Sequence, residues 1–116
     1  MSHGAKHDAA SLASLDTSTI EAVAEAMQAL STPSRVRILA RLAESSCSVA
    51  ALATAIGMEP SAVSHQLRLL RHRGLVRRER NGREAHYALH DDHVGVLLAE
   101  AVYHVEHTRL AARDGD

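Results

Sequence analysis

The chain has 116 residues, 46% hydrophobic and 23% charged; that is one domain's length, too apolar to stay disordered, and no apolar run approaches the ~20 residues of a membrane helix. Two tyrosines are its only aromatics and Cys47 its only cysteine, which disfavours a β-sandwich core, excludes an internal disulfide framework and fits a reducing cytoplasm. The net charge of −1 hides a division: residues 1–30 hold one Lys against four acids and 91–116 two Arg against six, whereas 31–58 hold three Arg against one Glu and 59–90 seven Arg against three Glu.

Residues 1–16 are small, polar and unpatterned, without the apolar stretch of a signal peptide, and read as a flexible arm carrying His3 and His7. The domain is expected over 17–111, with 112–116 as a flexible tail. Ile20, Val23, Met27 and Leu30 fall at helical spacing and predict a helix over 19–30. Ser31-Thr32-Pro33 then reads as a cap followed by a proline at the start of a second helix, 33–44. Its Val36, Leu39, Ala40 and Ala43 form the expected inner face, with Arg35, Arg37 and Arg41 outward. A short helix follows at 48–56, striped by Val49, Leu52 and Ile56 and stopped by Gly57.

Pro60-Ser61 opens a further helix, to about residue 72. Val63, Leu67 and Leu70 face inward; Ser61, Ser64, His65, Arg68, Arg71 and His72 face outward. Two short helices joined by a tight Gly-containing step, the second polar and basic, form a helix-turn-helix. The period then changes. Two strand-like runs over 75–89 flank Asn81-Gly82, a strong hairpin signal, and carry Arg77, Arg78, Arg80 and Arg83. A basic hairpin after a helix-turn-helix is a wing. The last element, 91–111, is again helical, with Val94, Leu97, Leu98, Ala101 and Val105 as its apolar stripe. The expected fold is mainly α with a small β-hairpin: a winged helix-turn-helix, stabilised as a homodimer.

This arrangement suits double-stranded DNA. Ser61, Ser64, His65 and Arg68 sit at i, i+3, i+4 and i+7, one exposed stripe on a helix that fits the major groove. Gln66 lies at the stripe's edge. Arg71 and the wing's Arg78, Arg80 and Arg83 would contact phosphates or the minor groove, giving affinity more than base choice.

The last helix carries a second constellation. His93 and His104 are eleven residues apart, about 20° around the helix axis, and His107 lies about 40° to the other side of His93. Eleven residues also span about 16 Å, far beyond metal–nitrogen bonds of roughly 2 Å, so one helix does not close a site. The midpoints of 93/104 and of 91/107 nearly coincide at Ala99. Two such helices crossing antiparallel there bring Asp91 and His93 of one chain to His104 and His107 of the other, twice per dimer. Small Gly95, Ala99 and Ala101 permit close approach. One carboxylate with three imidazoles suits Zn(II), Ni(II) or Co(II).

Leu30-Ser31-Thr32-Pro33-Ser34-Arg35, Ala55-Ile56-Gly57-Met58, Ser61 through Arg68 and Gly82-Arg83 together resemble the ArsR/SmtB family of bacterial metal-sensing repressors, over about residues 19–110. The resemblance implies a winged-helix homodimer that binds an operator, an imperfect inverted repeat, when metal-free and leaves it when metal binds. Matched to the family's Asp-x-His and later His-x-x-His, the ligands are Asp91, His93, His104 and His107. A second family site needs paired cysteines near the helix-turn-helix; here Glu44-Ser45-Ser46-Cys47-Ser48-Val49 offers one, so soft-metal sensing is disfavoured.

Within the family the chain is most similar to a nickel/cobalt-sensing branch, through Ser2-His3-Gly4, Ile56-Gly57-Met58-Glu59 and Tyr103-His104-x-Glu106-His107. Loss of Met1 would expose the Ser2 amine beside His3, a nitrogen pair able to join the four helix ligands; His7 is a further candidate. Six N/O donors favour Ni(II) or Co(II), whereas four favour Zn(II). The alternatives are a Zn(II) sensor on the same four residues and a metal-independent winged-helix regulator. An enzyme is not expected: there is no nucleophile motif and no Gly-rich pocket to hold an open catalytic metal.

Overall fold

The computed structural model describes residues 12–115. Its order is α1 (Thr17–Ala29), α2 (Pro33–Glu44), β1 (Cys47–Ser48), α3 (Val49–Ile56), α4 (Pro60–His72), β2 (Val76–Asn81), β3 (Glu84–Leu89) and α5 (Asp92–Gly115). Local chemistry sets most of these boundaries. Asp16 caps α1 by accepting from the Thr19 amide at 2.8 Å. Thr32 and Ser48 accept from the amides of Arg35 and Ala51 in the same way at the starts of α2 and α3. Pro33 and Pro60 occupy first-turn positions, where a missing N–H costs nothing. Gly57 ends α3 at φ 70, a left-handed conformation that glycine takes without steric penalty.

The sheet has three antiparallel strands in the order β1-β3-β2. β2 and β3 pair from Val76↔Leu89 to Asn81↔Glu84, so the connecting residues are Gly82-Arg83 and not Asn81-Gly82. Gly82 has φ 66, which suits glycine at the first central position of a two-residue hairpin. This one-residue shift puts Arg83 at the tip of the wing. β1 has no counterpart in the sequence reading. Its two residues pair Cys47↔Tyr87 and Ser48↔His86, tying the start of α3 to the wing.

The core joins Ile38, Leu39 and Leu42 of α2, Leu52 and Ala53 of α3, Val63, Leu67 and Leu70 of α4, Leu75 and Val76, and Val94 and Leu98 of α5. Burying a Leu or Val side chain contributes about 1.5–3 kcal/mol, so the helix-turn-helix and wing root form the stable centre. On α2 the buried face is Ile38, Leu39 and Leu42, whereas Ala40 and Ala43 are exposed. Both stripes fit a 3.6-residue period and share Leu39; the one with larger side chains removes more apolar surface from water.

The end helices depart further from expectation. In α1 only Ala29 is buried, and Ile20, Val23 and Met27 are 52%, 44% and 54% exposed. In α5 Val94 and Leu98 are buried, but Leu97, Ala101 and Val105 are exposed. The helical stripes exist, yet one protomer does not cover them. α5 also runs to Gly115, beyond the expected end at 111. Among the described residues no helix is long and apolar enough to cross a membrane.

Candidate nucleic-acid interface and metal centre

α4 docks through Val63, Leu67 and Leu70, each 0% exposed, so its opposite face must point outward. On that face Ser61, His65, Arg68 and Arg71 are exposed and Ser64 is half-buried. Gln66 is placed differently. It lies on the flank toward α2, half-buried, and its side-chain oxygen accepts from Arg35 Nε at 2.9 Å. Arginine only donates, so this bond fixes which end of the Gln66 amide meets α2. Arg71, Arg78 and Arg80 line one shallow depression with Glu79 and Ala85, which makes the end of α4 and the wing one basic surface.

Apart from Arg37 on α2 and Arg109 and Arg113 on α5, which are exposed, the arginines divide into two groups. Arg68, Arg71, Arg78, Arg80 and Arg83 are exposed, without hydrogen-bond or ion-pair partners among the described residues. Arg35, Arg41, Arg73 and Arg77 are engaged: with Gln66, with Ser45, with Glu25 at 3.0 Å, and with Leu89, His90 and Glu79. The Arg73–Glu25 pair links α4 to α1 across solvent-exposed side chains, where such pairs contribute at most about 1 kcal/mol. The engaged roles of Arg35 and Arg77 were not legible in the sequence. Their partners lie 31 and 12–13 residues away, and only the basic character of the segment pointed to them.

The metal candidates sit on α5 and the residue before it. Asp91 Oδ1 accepts from the amides of His93 at 3.0 Å and Val94 at 3.3 Å, and lies 3.6 Å from His93 Nδ1. Partial desolvation opposes the charged carboxylate, but the Val94 and His93 amides and the His93 ring together hold its pKa below the usual value. Farther along, His104 and His107 are exposed. The His107 ring stacks on Tyr103 with centroids 5.7 Å apart and planes 21° apart.

One protomer thus carries two separate pairs of N/O donors. Among the described residues no group of three or more His, Cys, Asp or Glu converges to hold a metal. All four side chains are exposed, and imidazole with carboxylate is a donor set that fits Ni(II), Co(II) or Zn(II). Ser2, His3 and His7 lie outside the described residues. Cys47 is buried on β1, and burial pushes its thiol up despite nearby Arg41, so it is neither a ready thiolate ligand nor a reactive sulfur.

A helix-turn-helix whose polar second helix and basic wing form one outward surface defines a winged-helix DNA-binding transcriptional regulator, a class without catalytic machinery. Residues 32–78 match the family model described as "Bacterial regulatory protein, arsR family". The chain is 50% identical over 114 residues to the HTH-type transcriptional regulator NmtR of Mycobacterium tuberculosis, covering 98% of this chain and 95% of that one. It therefore belongs to the arsR family of bacterial regulatory proteins.

Solved structures agree. The solution structure of apo-NmtR superposes with a TM-score of 0.69 at 55% identity, over 80% of this chain and 78% of that one. The homodimeric winged helix-turn-helix DNA-binding domain Mb0332 of Mycobacterium bovis gives 0.72 at 31% identity, over 77% and 82%.

Proposed function

We propose that this regulator is a cytoplasmic Ni(II)- or Co(II)-responsive repressor. Its metal-free homodimer binds an imperfect inverted repeat in double-stranded DNA, and metal taken up between the two α5 helices weakens that binding. The observation that carries this reading is the disposition of α5: Asp91 and His93 paired 3.6 Å apart at one end, His104 and His107 exposed beyond the middle, symmetric about Ala99. The two pairs serve as half-sites that a second copy completes.

The uncovered apolar faces of α1 and α5 support the same dimer. Ala40 and Ala43 line an apolar depression with Gly95, Leu98, Ala99 and Val102, beside the expected crossing point. In the dimer each α4 enters a major groove through Ser61, Ser64, His65 and Arg68, and Arg71, Arg78, Arg80 and Arg83 meet the backbone. Gln66 acts from behind this surface, holding α4 against α2. Bound metal would supply a bridge between protomers that fixes the relative position of the α5 helices. That position sets the spacing of the two DNA-reading heads. The coupling is reciprocal, so the operator weakens metal uptake by the same factor.

The test has two parts. In a mobility-shift titration, operator affinity must fall when Ni(II) is added; equal affinity in both states rejects the reading. Co(II) spectra then separate the metals, taken on the full chain and on a chain lacking residues 1–7. Weak d–d bands that intensify on truncation indicate six donors including Ser2, His3 or His7. Intense bands in both indicate Asp91, His93, His104 and His107 alone and a Zn(II) sensor.

A further inference from the structure

One side chain ties the wing to the start of α5. Arg77 lies on β2 opposite Ala88. Its Nη1 donates to the Leu89 carbonyl at 2.8 Å and to the His90 carbonyl at 3.2 Å, and its Nη2 meets Glu79 Oε2 at 3.1 Å. Guanidinium offers five donors in a rigid planar fork, and the protein itself occupies both terminal nitrogens. The backbone closes the same junction, because the His90 amide donates to the Leu75 carbonyl at 2.9 Å. Leu75 and Val76, which follow α4 across Arg73-Gly74, are buried. Leu89 and His90 directly precede Asp91.

We propose that Arg77 is a positioning residue that transmits the state of α5 to the DNA-reading helix, and not a phosphate contact like its neighbours on the wing. This rests on the metal-responsive reading above. A shift of the α5 start carries the Leu89 and His90 carbonyls with it. The fork on those carbonyls then draws β2 along, and β2 is joined to α4 by the short turn Arg73-Gly74-Leu75, whose Leu75 amide donates to the Leu70 carbonyl of α4 at 2.9 Å. Arg78, Arg80 and Arg83 share the wing's charge but have no such attachment among the described residues. Without the fork, both carbonyls lie near the surface, where water can satisfy them, so the side-chain link is lost while the fold and the backbone bond from His90 to Leu75 remain.

The experiment compares Arg77→Met with Arg80→Ala and the wild-type full chain. It measures operator affinity by fluorescence anisotropy across a salt series with and without Ni(II), and Ni(II) affinity without DNA. Couplings in allosteric proteins run from about 5- to 150-fold. In Arg77→Met the ratio of metal-free to metal-bound affinity should fall to within about twofold of one, with Ni(II) affinity and the salt slope of the metal-free protein retained. Arg80→Ala should lose about one unit of slope per protomer and keep the ratio. If Arg77→Met does not fold, as judged by its thermal melt, Arg77→Lys is read by the same criteria: it keeps the charge and loses the fork. A wild-type ratio surviving in the Arg77 variant, or a reduced slope there, overturns the inference alone. A wild-type ratio of one overturns the underlying functional reading and the inference with it.

Discussion

The division of the arginines yields a quantitative expectation for DNA binding. Each phosphate neutralised contributes about −0.9 to the slope of log K against log salt. Arg68, Arg71, Arg78, Arg80 and Arg83 lack protein partners among the described residues, so a dimer presents ten such guanidinium groups. If all engage, the slope is about −9, and affinity falls on the order of 10⁵-fold between about 50 and 200 mM salt. Arg80→Ala removes two contacts per dimer, bringing the slope to about −7 and the loss over the same range to the order of 10⁴-fold. Arg73→Ala should leave the slope unchanged, because that guanidinium is held by Glu25 at 3.0 Å. Fluorescence anisotropy on a duplex selected from randomised sequence, at four salt concentrations, measures all three. An Arg80→Ala slope equal to that of wild type, or an Arg73→Ala slope reduced as much as that of Arg80→Ala, refutes the reasoning.

Three further outcomes follow from the site and the core. His104 is exposed, so His104→Ala should change stability by less than about 0.5 kcal/mol and leave metal-free operator binding intact, while abolishing the Ni(II) response in a mobility shift. Leu67 is 0% exposed at the centre of α4; Leu67→Ala should cost about 2–5 kcal/mol, read as a lower urea midpoint at unchanged m-value. The Thr19 amide holds the Asp16 carboxyl below its usual pKa. Its stabilisation of α1 is therefore complete above the ordinary aspartate range and lost as pH falls through the lowered folded value. Protection of the Thr19 amide, its exchange rate measured against that of an unstructured peptide at the same pH, should fall over that acid range in wild type, whereas Asp16→Asn, which accepts without titrating, should show no such step.

The architecture was legible where local chemistry decides it. Prolines 33 and 60, the cap at Thr32 and Gly57 all mark helix ends through interactions within four residues. Periodicity found the stripes of α1 and α5, but periodicity reports only that a face is apolar, not what covers it; Ile20, Val23 and Met27 look the same in sequence whether they meet their own chain or another. β1 escaped notice because two residues are too short to alternate, and its pairing with Tyr87 and His86 is set by the wing. The hairpin was placed one residue early because Asn-Gly is favoured at both central positions, while here glycine takes the first. Among the metal candidates, spacing alone exposed the symmetry about Ala99. The Arg77 fork could not be found that way, since nothing in a run of wing arginines distinguishes the one that turns back toward its own chain.

The sparse burial of the end helices has a consequence for how such a regulator behaves at cellular abundance. α1 contributes only Ala29 to the protomer's core, and α5 only Val94 and Leu98. If a twin completes those helices, their order is governed by mass action, and the melting temperature rises with protein concentration. The helix-turn-helix and wing then stay folded on dilution while α1 and α5 lose their support. On the proposed function, a molecule built this way answers to its own copy number as well as to its metal: below the concentration at which twins pair, the half-sites at the two ends of the dimer crossing never meet.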